Sequence, residues 1–365
     1  MDGRLVGSCG PQTDRGVVVG LSGGVDSAVA AALLKLAGYE PHGIALRLWQ
    51  MDASESNEDG AAAGKVAETL GIPFEVVDLR ERFYEQVVQP FAKVYAEGRT
   101  PNPCIMCNPT LKFAALLEAA ERLGAPWIAT GHYARVEHLS SGSARLLTAR
   151  AEQKDQSYAL YRLTQSTLQR LLLPLGEVES KERVRDMAKE LGIAVADRRD
   201  SQDLCFAAGN GYGAILATTH PEACREGPIL TEGGEMVGRH SGIWRYTIGQ
   251  RSGLGIAAGE RLYVSKIDAS RNAIIVGPRA GLECVSCELE AVTFCSGTMR
   301  EETFTTSGRV RYRARLTAVQ VTPLEGRRAL VTFSIPQVGV APGQSLVFYE
   351  GDEVVGGGII QHSYA

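Results

Sequence analysis

The hydrophobic pattern changes character a little past the middle of the chain. In the first 200 residues short apolar runs alternate with longer amphipathic stretches. "GVVVGL" (Gly16–Leu21), "HGIALRLW" (His42–Trp49), "FEVVDL" (Phe74–Leu79) and "APWIATGHY" (Ala125–Tyr133) read as strands, with helical patterns between them. Helical runs stop at Gly38, Gly71, Gly124 and Gly192, where glycine suits the left-handed position that closes a helix. Strand, helix, glycine, strand, repeated, predicts an α/β domain with a doubly wound parallel sheet, in which ligands sit beyond the carboxyl ends of the strands.

Beyond about Phe206 the spacing shortens. "RLYVSKI", "NAIIVG", "GRVRYRARL", "ALVTFSI" and "SLVFYEGDEVVGGGII" are β-type runs separated by turn residues. They predict a C-terminal β-barrel or sandwich. A loose leader (1–15), a catalytic domain (16–206), a small central domain (207–278) carrying "WRYTIGQRSGLGI", and a C-terminal β-barrel (279–365) are the expected divisions. The polar stretch Asp52–Gly64 reads as a surface loop leading into a helix.

Composition narrows the class. Of 365 residues 44% are apolar and 22% charged, as in a packed globular protein, and the formal charge of −4 gives no overall bias toward nucleic acid. The N-terminus has no apolar core of a signal peptide, and no run reaches the ~18 apolar residues of a membrane span, so a cytoplasmic protein without a membrane partner is expected. Eight cysteines in such a chain are read as reduced.

The chemistry starts at "GLSGGVDS", residues Gly20, Leu21, Ser22, Gly23, Gly24, Val25, Asp26 and Ser27. It follows a strand and opens a helix, but lacks the lysine of a Walker A loop. The glycines allow close approach of backbone N–H groups to an anion, the helix start adds its positive end, and Asp26 suits a Mg²⁺ ion between itself and a phosphate. The bland alternative is a tight turn with a capping aspartate. The motif resembles the loop of the ATP-pyrophosphatase superfamily, which implies a grip on pyrophosphate.

"GRTPNPCIMCN" holds Cys104 and Cys107, and "DSQDLCFA" holds Cys205. One pair and a distant third are too few for structural zinc. Two readings stay open: a persulfide on one cysteine attacked by another, leaving a disulfide, or three thiolates holding an iron–sulfur cluster such as [4Fe-4S]. Cys9, Cys224 and Cys295 read as buried small hydrophobes, and the Cys284–Cys287 pair as incidental.

Together with "ATGHYAR", "KDQSYALY", "YTIGQRSGLGI", "VRYR" and "APGQSLVFYEGDEVVGGGII", these segments resemble the bacterial tRNA-specific 2-thiouridylase family over nearly the whole chain. The resemblance implies a tRNA sulfurtransferase using ATP and Mg²⁺ on the wobble uridine, fed by a sulfur-relay persulfide donor and a cysteine desulfurase. It implies that Gly20 to Ser27, Leu46 and Gly131 meet ATP, that Cys107 is the nucleophile and Cys205 the persulfide carrier. Asn102, Pro103 and Cys104 match the segment lining the target base, and Lys154, Asp155, Gln156, Arg311 and Tyr312 match tRNA contacts. Cys104 stands where some relatives have an aspartate, and Ala62-Ala63 replaces a usual Asp-Ala step. Separately, Arg309, Arg311, Arg313 and Arg315 recur at period two, which on a strand would place all four on one face as a phosphate track. An amide-forming ligase of the same superfamily would not need the cysteines, and a non-catalytic tRNA-binding protein would not need the loop.

Overall fold

The computed structural model describes residues 15–49, 58–193, 205–206, 212–256 and 261–365. Residues 1–14 of the expected leader, with Cys9, residues 52–57 of the polar stretch, and most of "DSQDLCFA" lie outside the described residues.

The first domain is built on five strands: β1 (Gly16–Gly20), β2 (Glu40–Arg47), β3 (Phe74–Asp78), β4 (Trp127–Ala129) and, after a hairpin of β5 (Arg135–His138) and β6 (Ala144–Leu147), β7 (Leu171–Leu172). Their order is β3-β2-β1-β4-β7, and every pairing is parallel. Val17, Val18 and Val19 are at most 1% exposed, as expected of a central strand covered on both faces. Helix Val25–Leu36 packs on one side with an alanine-rich buried face, and helix Phe113–Leu123 on the other. The predicted helix-closing glycines all have positive φ: Gly38 at 88°, Gly71 at 58°, Gly124 at 66° and Gly192 at 67°. Because β2 and β4 flank β1 on opposite sides, the chain reverses direction across the sheet at β1. Its carboxyl end is the topological switch point.

The middle region is a four-stranded sheet of β8 (Gly227–Thr231), β9 (Met236–His240), β10 (Tyr263–Asp268) and β11 (Ala273–Gly277), ordered β10-β11-β8-β9. The C-terminal region holds β12 (Glu283–Phe294), β13 (Phe304–Arg309), β14 (Thr317–Leu324), β15 (Arg328–Val338), β16 (Ser345–Glu350) and β17 (Glu353–Tyr364). These six run β12-β15-β14-β13-β16-β17, and β12 pairs with β17 to close the barrel. Closure leaves no free edge around the ring. The β5–β6 hairpin of the first domain adds to β17, so the two domains share a sheet.

One expectation is corrected. The arginine stripe is not a strand face: β13 ends at Arg309, and residues 310–316 form the turn to β14. Arg309 bends inward, with Nη1 3.5 Å from Asp155 Oδ2 and its guanidinium 5.0 Å from the Tyr349 ring centre. Arg311, Arg313 and Arg315 are exposed on the turn.

The segment Gly98–Asn102 is where all three regions meet. Arg99 Nη2 bonds Glu290 of β12 at 2.7 Å. The Thr100 N–H donates to Pro342 O at 2.8 Å, and its hydroxyl lies 3.4 Å from that of Thr247 in the middle region.

Candidate active site

The glycine loop lies at the switch point. Leu21 N–H donates to Ile44 O of β2 at 2.8 Å, which ties the loop's first residue to the sheet, and the Leu21 and Val25 side chains are buried. Gly23 has φ +71°, and a Cβ there would come within 2.7 Å of Ala62 Cβ. The Ala62-Ala63 step therefore abuts the loop, which accounts for small residues there. The Ser27 hydroxyl lies 3.2 Å from that of Ser22, accepts from Ser22 N–H at 3.1 Å and donates to Gly24 O at 3.0 Å. These bonds hold the turn so that helix Val25–Leu36 starts directly behind it.

The cation absent from the loop comes from elsewhere. Lys181, the first residue of helix Lys181–Glu190, places Nζ 2.7 Å from both Asp26 carboxylate oxygens, and Tyr133 OH donates to Asp26 Oδ1 at 2.6 Å. Asp26 is thus held within the protein by Lys181 and Tyr133, where the sequence pointed to Mg²⁺ or to a helix cap. The Ser180 cap marks the helix start in sequence, but nothing local identifies Lys181's partner.

Gly131 packs onto the loop from β4's end: a Cβ would sit 2.7 Å from Asp26 C and Ser27 N. Leu46, at the end of β2, is partly buried between the two apolar clusters on that side of the sheet.

The cysteine site begins where Asn102, in extended conformation, and Pro103 at the first helical position start a short helix, Pro103–Cys107. Three residues apart, Cys104 and Cys107 share a helix face. Cys104 and Cys205 are exposed and Cys107 is buried. The next turn, Asn108–Lys112, is π-helical. In an α-helix Lys112 would lie about 140° around from Cys107; the wider turn brings it back toward the cysteines. All three thiols and Lys112 interact electrostatically. Burial pushes the Cys107 thiol up to about 12, with the Lys112 charge pulling the other way. Cys205 is open at its surface, but protein atoms crowding the sulfur desolvate the thiolate and raise this thiol too, again opposed by Lys112. Sequence reasoning missed Lys112, because α-helical spacing places it on the wrong face.

His132 joins the two halves. Its ring stacks 5.8 Å from Phe113, and Nδ1 is 2.8 Å from the Thr130 hydroxyl. Desolvation lowers it to about 3, and the nearby Lys112 charge adds to the shift. Gly131 touches the glycine loop, His132 senses Lys112, and Tyr133 bonds Asp26.

No three His, Cys, Asp or Glu side chains among the described residues are arranged to share a metal ion.

Of the expected tRNA contacts, Asp155 turns inward. Its carboxylate is buried and accepts from Ala149 N–H at 3.1 Å, Ser157 N–H at 3.2 Å and the Ser157 hydroxyl at 2.9 Å, besides pairing with Arg309. This side chain is thus committed within the protein. Gln156 is also committed, its Oε1 accepting from Tyr133 N–H at 2.9 Å. Lys154 lies half-buried at the start of this segment. The Arg309–Asp155 pair, and the Tyr158 and Tyr312 rings 6.2 Å apart, bring this segment against the turn bearing Arg311. Two stretches distant in sequence form one surface.

Residues 15–209 match the tRNA methyl transferase HUP domain, 214–278 the tRNA methyl transferase PRC-barrel domain, and 285–360 the aminomethyltransferase beta-barrel domain. The tRNA-specific 2-thiouridylase MnmA of Roseiflexus castenholzii is 44% identical, covering 94% of this chain and 98% of that one. The same-named proteins of Clostridium perfringens and Syntrophotalea carbinolica are 40% and 45% identical, each covering 96% of this chain and 99% of the relative. This chain belongs to the MnmA family. The family match runs through all three regions. Among solved structures, the U34-tRNA thiolase NcsA from Methanococcus maripaludis with its [4Fe-4S] cluster is 19% identical, with a TM-score of 0.36 over 60% of this chain and 72% of that one. No described helix is long and apolar enough to cross a membrane.

Proposed function

We propose that this MnmA-family enzyme is an ATP-dependent sulfurtransferase that adenylates the C2 oxygen of the wobble uridine (U34) of certain tRNAs and replaces it with sulfur, giving 2-thiouridine, AMP and pyrophosphate. The observation that carries the reading is the bridge Gly131–His132–Tyr133, which places the glycine loop beside the cysteine site.

Each part has a physical task. The uridine C2 oxygen is a poor leaving group until it attacks the α-phosphate of ATP and becomes an adenylate. The loop from Gly20 to Ser27 offers the start of helix Val25–Leu36 to the departing pyrophosphate, Leu46 and Gly131 line the nucleotide, and Mg²⁺ would supply charge neutralisation to the phosphates. Asn102, Pro103 and Cys104 open the cysteine helix where the extruded base would enter. Cys205 carries the persulfide. The Cys107 thiolate attacks it, sulfide is released toward C2, and a Cys107–Cys205 disulfide remains to be reduced. Lys112 favours the anionic forms of these sulfurs. The exposed Arg311 and the adjoining Lys154 segment and Tyr312 contact the tRNA by backbone and shape. A relay protein fed by a cysteine desulfurase supplies the persulfide in the cytoplasm.

The test uses anaerobically purified protein, with iron and acid-labile sulfide measured on the sample assayed for 2-thiouridine with ATP, Mg²⁺, tRNA and a persulfide donor. Full activity without iron is expected. Activity that rises and falls with bound iron would replace the persulfide pair by a cluster. Cys205→Ser should abolish thiolation while tRNA binding stays near wild type; continued thiolation would remove the carrier assignment.

A further inference from the structure

Phe206 follows the proposed persulfide carrier directly, and the two side chains have opposite surroundings. Cys205 is exposed, whereas Phe206 is 1% exposed. Three aromatic rings of the first domain close on Phe206: Phe91 at 5.0 Å and 88°, Phe83 at 5.7 Å and 66°, and Trp49 at 6.2 Å and 67°. All three meet it edge to face, the arrangement favoured by ring quadrupoles. The packed cluster around this socket also contains Cys107 and Leu111. The ring next to Cys205 and the thiol of Cys107 are therefore fixed by one body of side chains.

We infer that Phe206 is a positioning residue for sulfur transfer: seated in the Trp49–Phe83–Phe91 socket, it sets where Cys205 stands relative to Cys107. This rests on the reading of Cys205 as carrier and Cys107 as attacker. In that step the Cys107 thiolate attacks the inner sulfur of the Cys205 persulfide. The persulfide S–S bond breaks, hydrosulfide leaves with the bonding pair, and the Cys107–Cys205 bond forms, so charge and electrons balance without another reactant. The two sulfurs must approach to bonding distance in line. Loss of such placement costs about 100-fold in rate for a shift of about 1 Å.

The socket is tested on the full chain by the rate at which diamide, a two-electron oxidant, closes the Cys107–Cys205 disulfide, followed by mass spectrometry. Phe206→Ala should slow closure and 2-thiouridine formation together, roughly 10- to 100-fold. Alkylation of Cys205 and ATP- and tRNA-dependent pyrophosphate release should stay within about two-fold of wild type, because neither requires the two thiols to meet. Phe206→Leu, which refills much of the space, should fall between. Phe91→Leu trims the opposite wall without touching the carrier segment and should slow closure in a folded protein even where Phe206→Ala does not fold. Wild-type closure in both Phe206→Leu and Phe91→Leu overturns the inference. So does a parallel loss of pyrophosphate release, which would mark a general structural defect. Thiolation surviving in Cys205→Ser would instead remove the carrier reading, while the closure rates would still report whether Phe206 places Cys205.

Discussion

Lys181 Nζ lies 2.7 Å from both oxygens of the Asp26 carboxylate, and the two partners are unequally buried: the lysine side chain is 5% exposed, the aspartate 33%. That inequality decides which half of the pair is the costlier to remove. Asp26→Asn strands a buried ammonium. Breaking a fully buried pair costs about 3–5 kcal/mol, and Asp26's exposure moves the expectation to roughly 2–3 kcal/mol. Lys181→Met leaves a carboxylate that water reaches and Tyr133 still donates to, with an expected loss of about 1 kcal/mol. Urea unfolding of both variants measures the order. Equal losses would show that the two charges share one environment.

Arg309 and Arg311 are two residues apart and should respond differently. Arg309 serves the buried Asp155 carboxylate and the Tyr349 ring. Arg309→Ala should destabilise the protein by about 1–3 kcal/mol, the cost of leaving a buried acceptor underserved. Arg311→Ala, exposed on the turn, should leave the melting temperature unchanged and reduce the salt dependence of tRNA binding by about one phosphate contact, a slope change of about 0.9. Affinity measured across a salt series separates the two; an unchanged slope in Arg311→Ala would remove that contact.

The same arginines show where the sequence could be read and where it could not. Their alternation is real as burial: Val310 is buried, Arg311 exposed, Tyr312 half-buried, Arg313 exposed. The strand implied by it is absent, because a ladder needs a partner. β13 pairs with β16 only through Arg309, before the chain turns back toward Thr317. The parallel sheet and its closing glycines were legible, since periodicity and positive φ are local properties. The β5–β6 hairpin that extends β17 has four residues in each strand and finds its partner over 200 residues away, so local pattern cannot predict it. Lys112 and Lys181 were hidden for related reasons. One reaches the cysteines only through a π-helical turn, and the other is paired by tertiary packing alone.

His132 should make the folded protein sensitive to acid without acting as a switch near neutrality. Its ring is held to about 3, against 6.5 for an unperturbed histidine. Between those values the unfolded chain binds the proton and the folded protein does not. The stability tied to the neutral ring is therefore complete above pH 6.5 and drains as pH falls toward 3. His132→Gln should flatten the stability curve between pH 6 and 4 by up to about 1.4 kcal/mol per pH unit. Unfolding midpoints at several pH values measure this, and an unchanged acid limb would mean His132 is charged in the fold.

Cys107 works at the opposite end of the scale. With burial raising its thiol to about 12 from 9.0, the folded protein holds a proton that the unfolded chain has lost. The stability tied to the neutral thiol is full below pH 9 and falls as pH rises toward 12, so Cys107→Ser should soften alkaline destabilisation. At pH 8 the resting thiolate is about one molecule in ten thousand. Iodoacetamide should thus label the exposed Cys104 well before Cys107, with Cys107 labelling still rising tenfold per pH unit up to pH 10. Lys112 opposes the burial effect, so Lys112→Met should push the thiol higher and slow Cys107 labelling by about tenfold if the lost charge is worth one pKa unit. Peptide mass spectrometry after timed labelling reads each site separately. A plateau for Cys107 below pH 9 would show that burial does not hold the thiol neutral, and no effect of Lys112→Met would remove the opposing role of that charge.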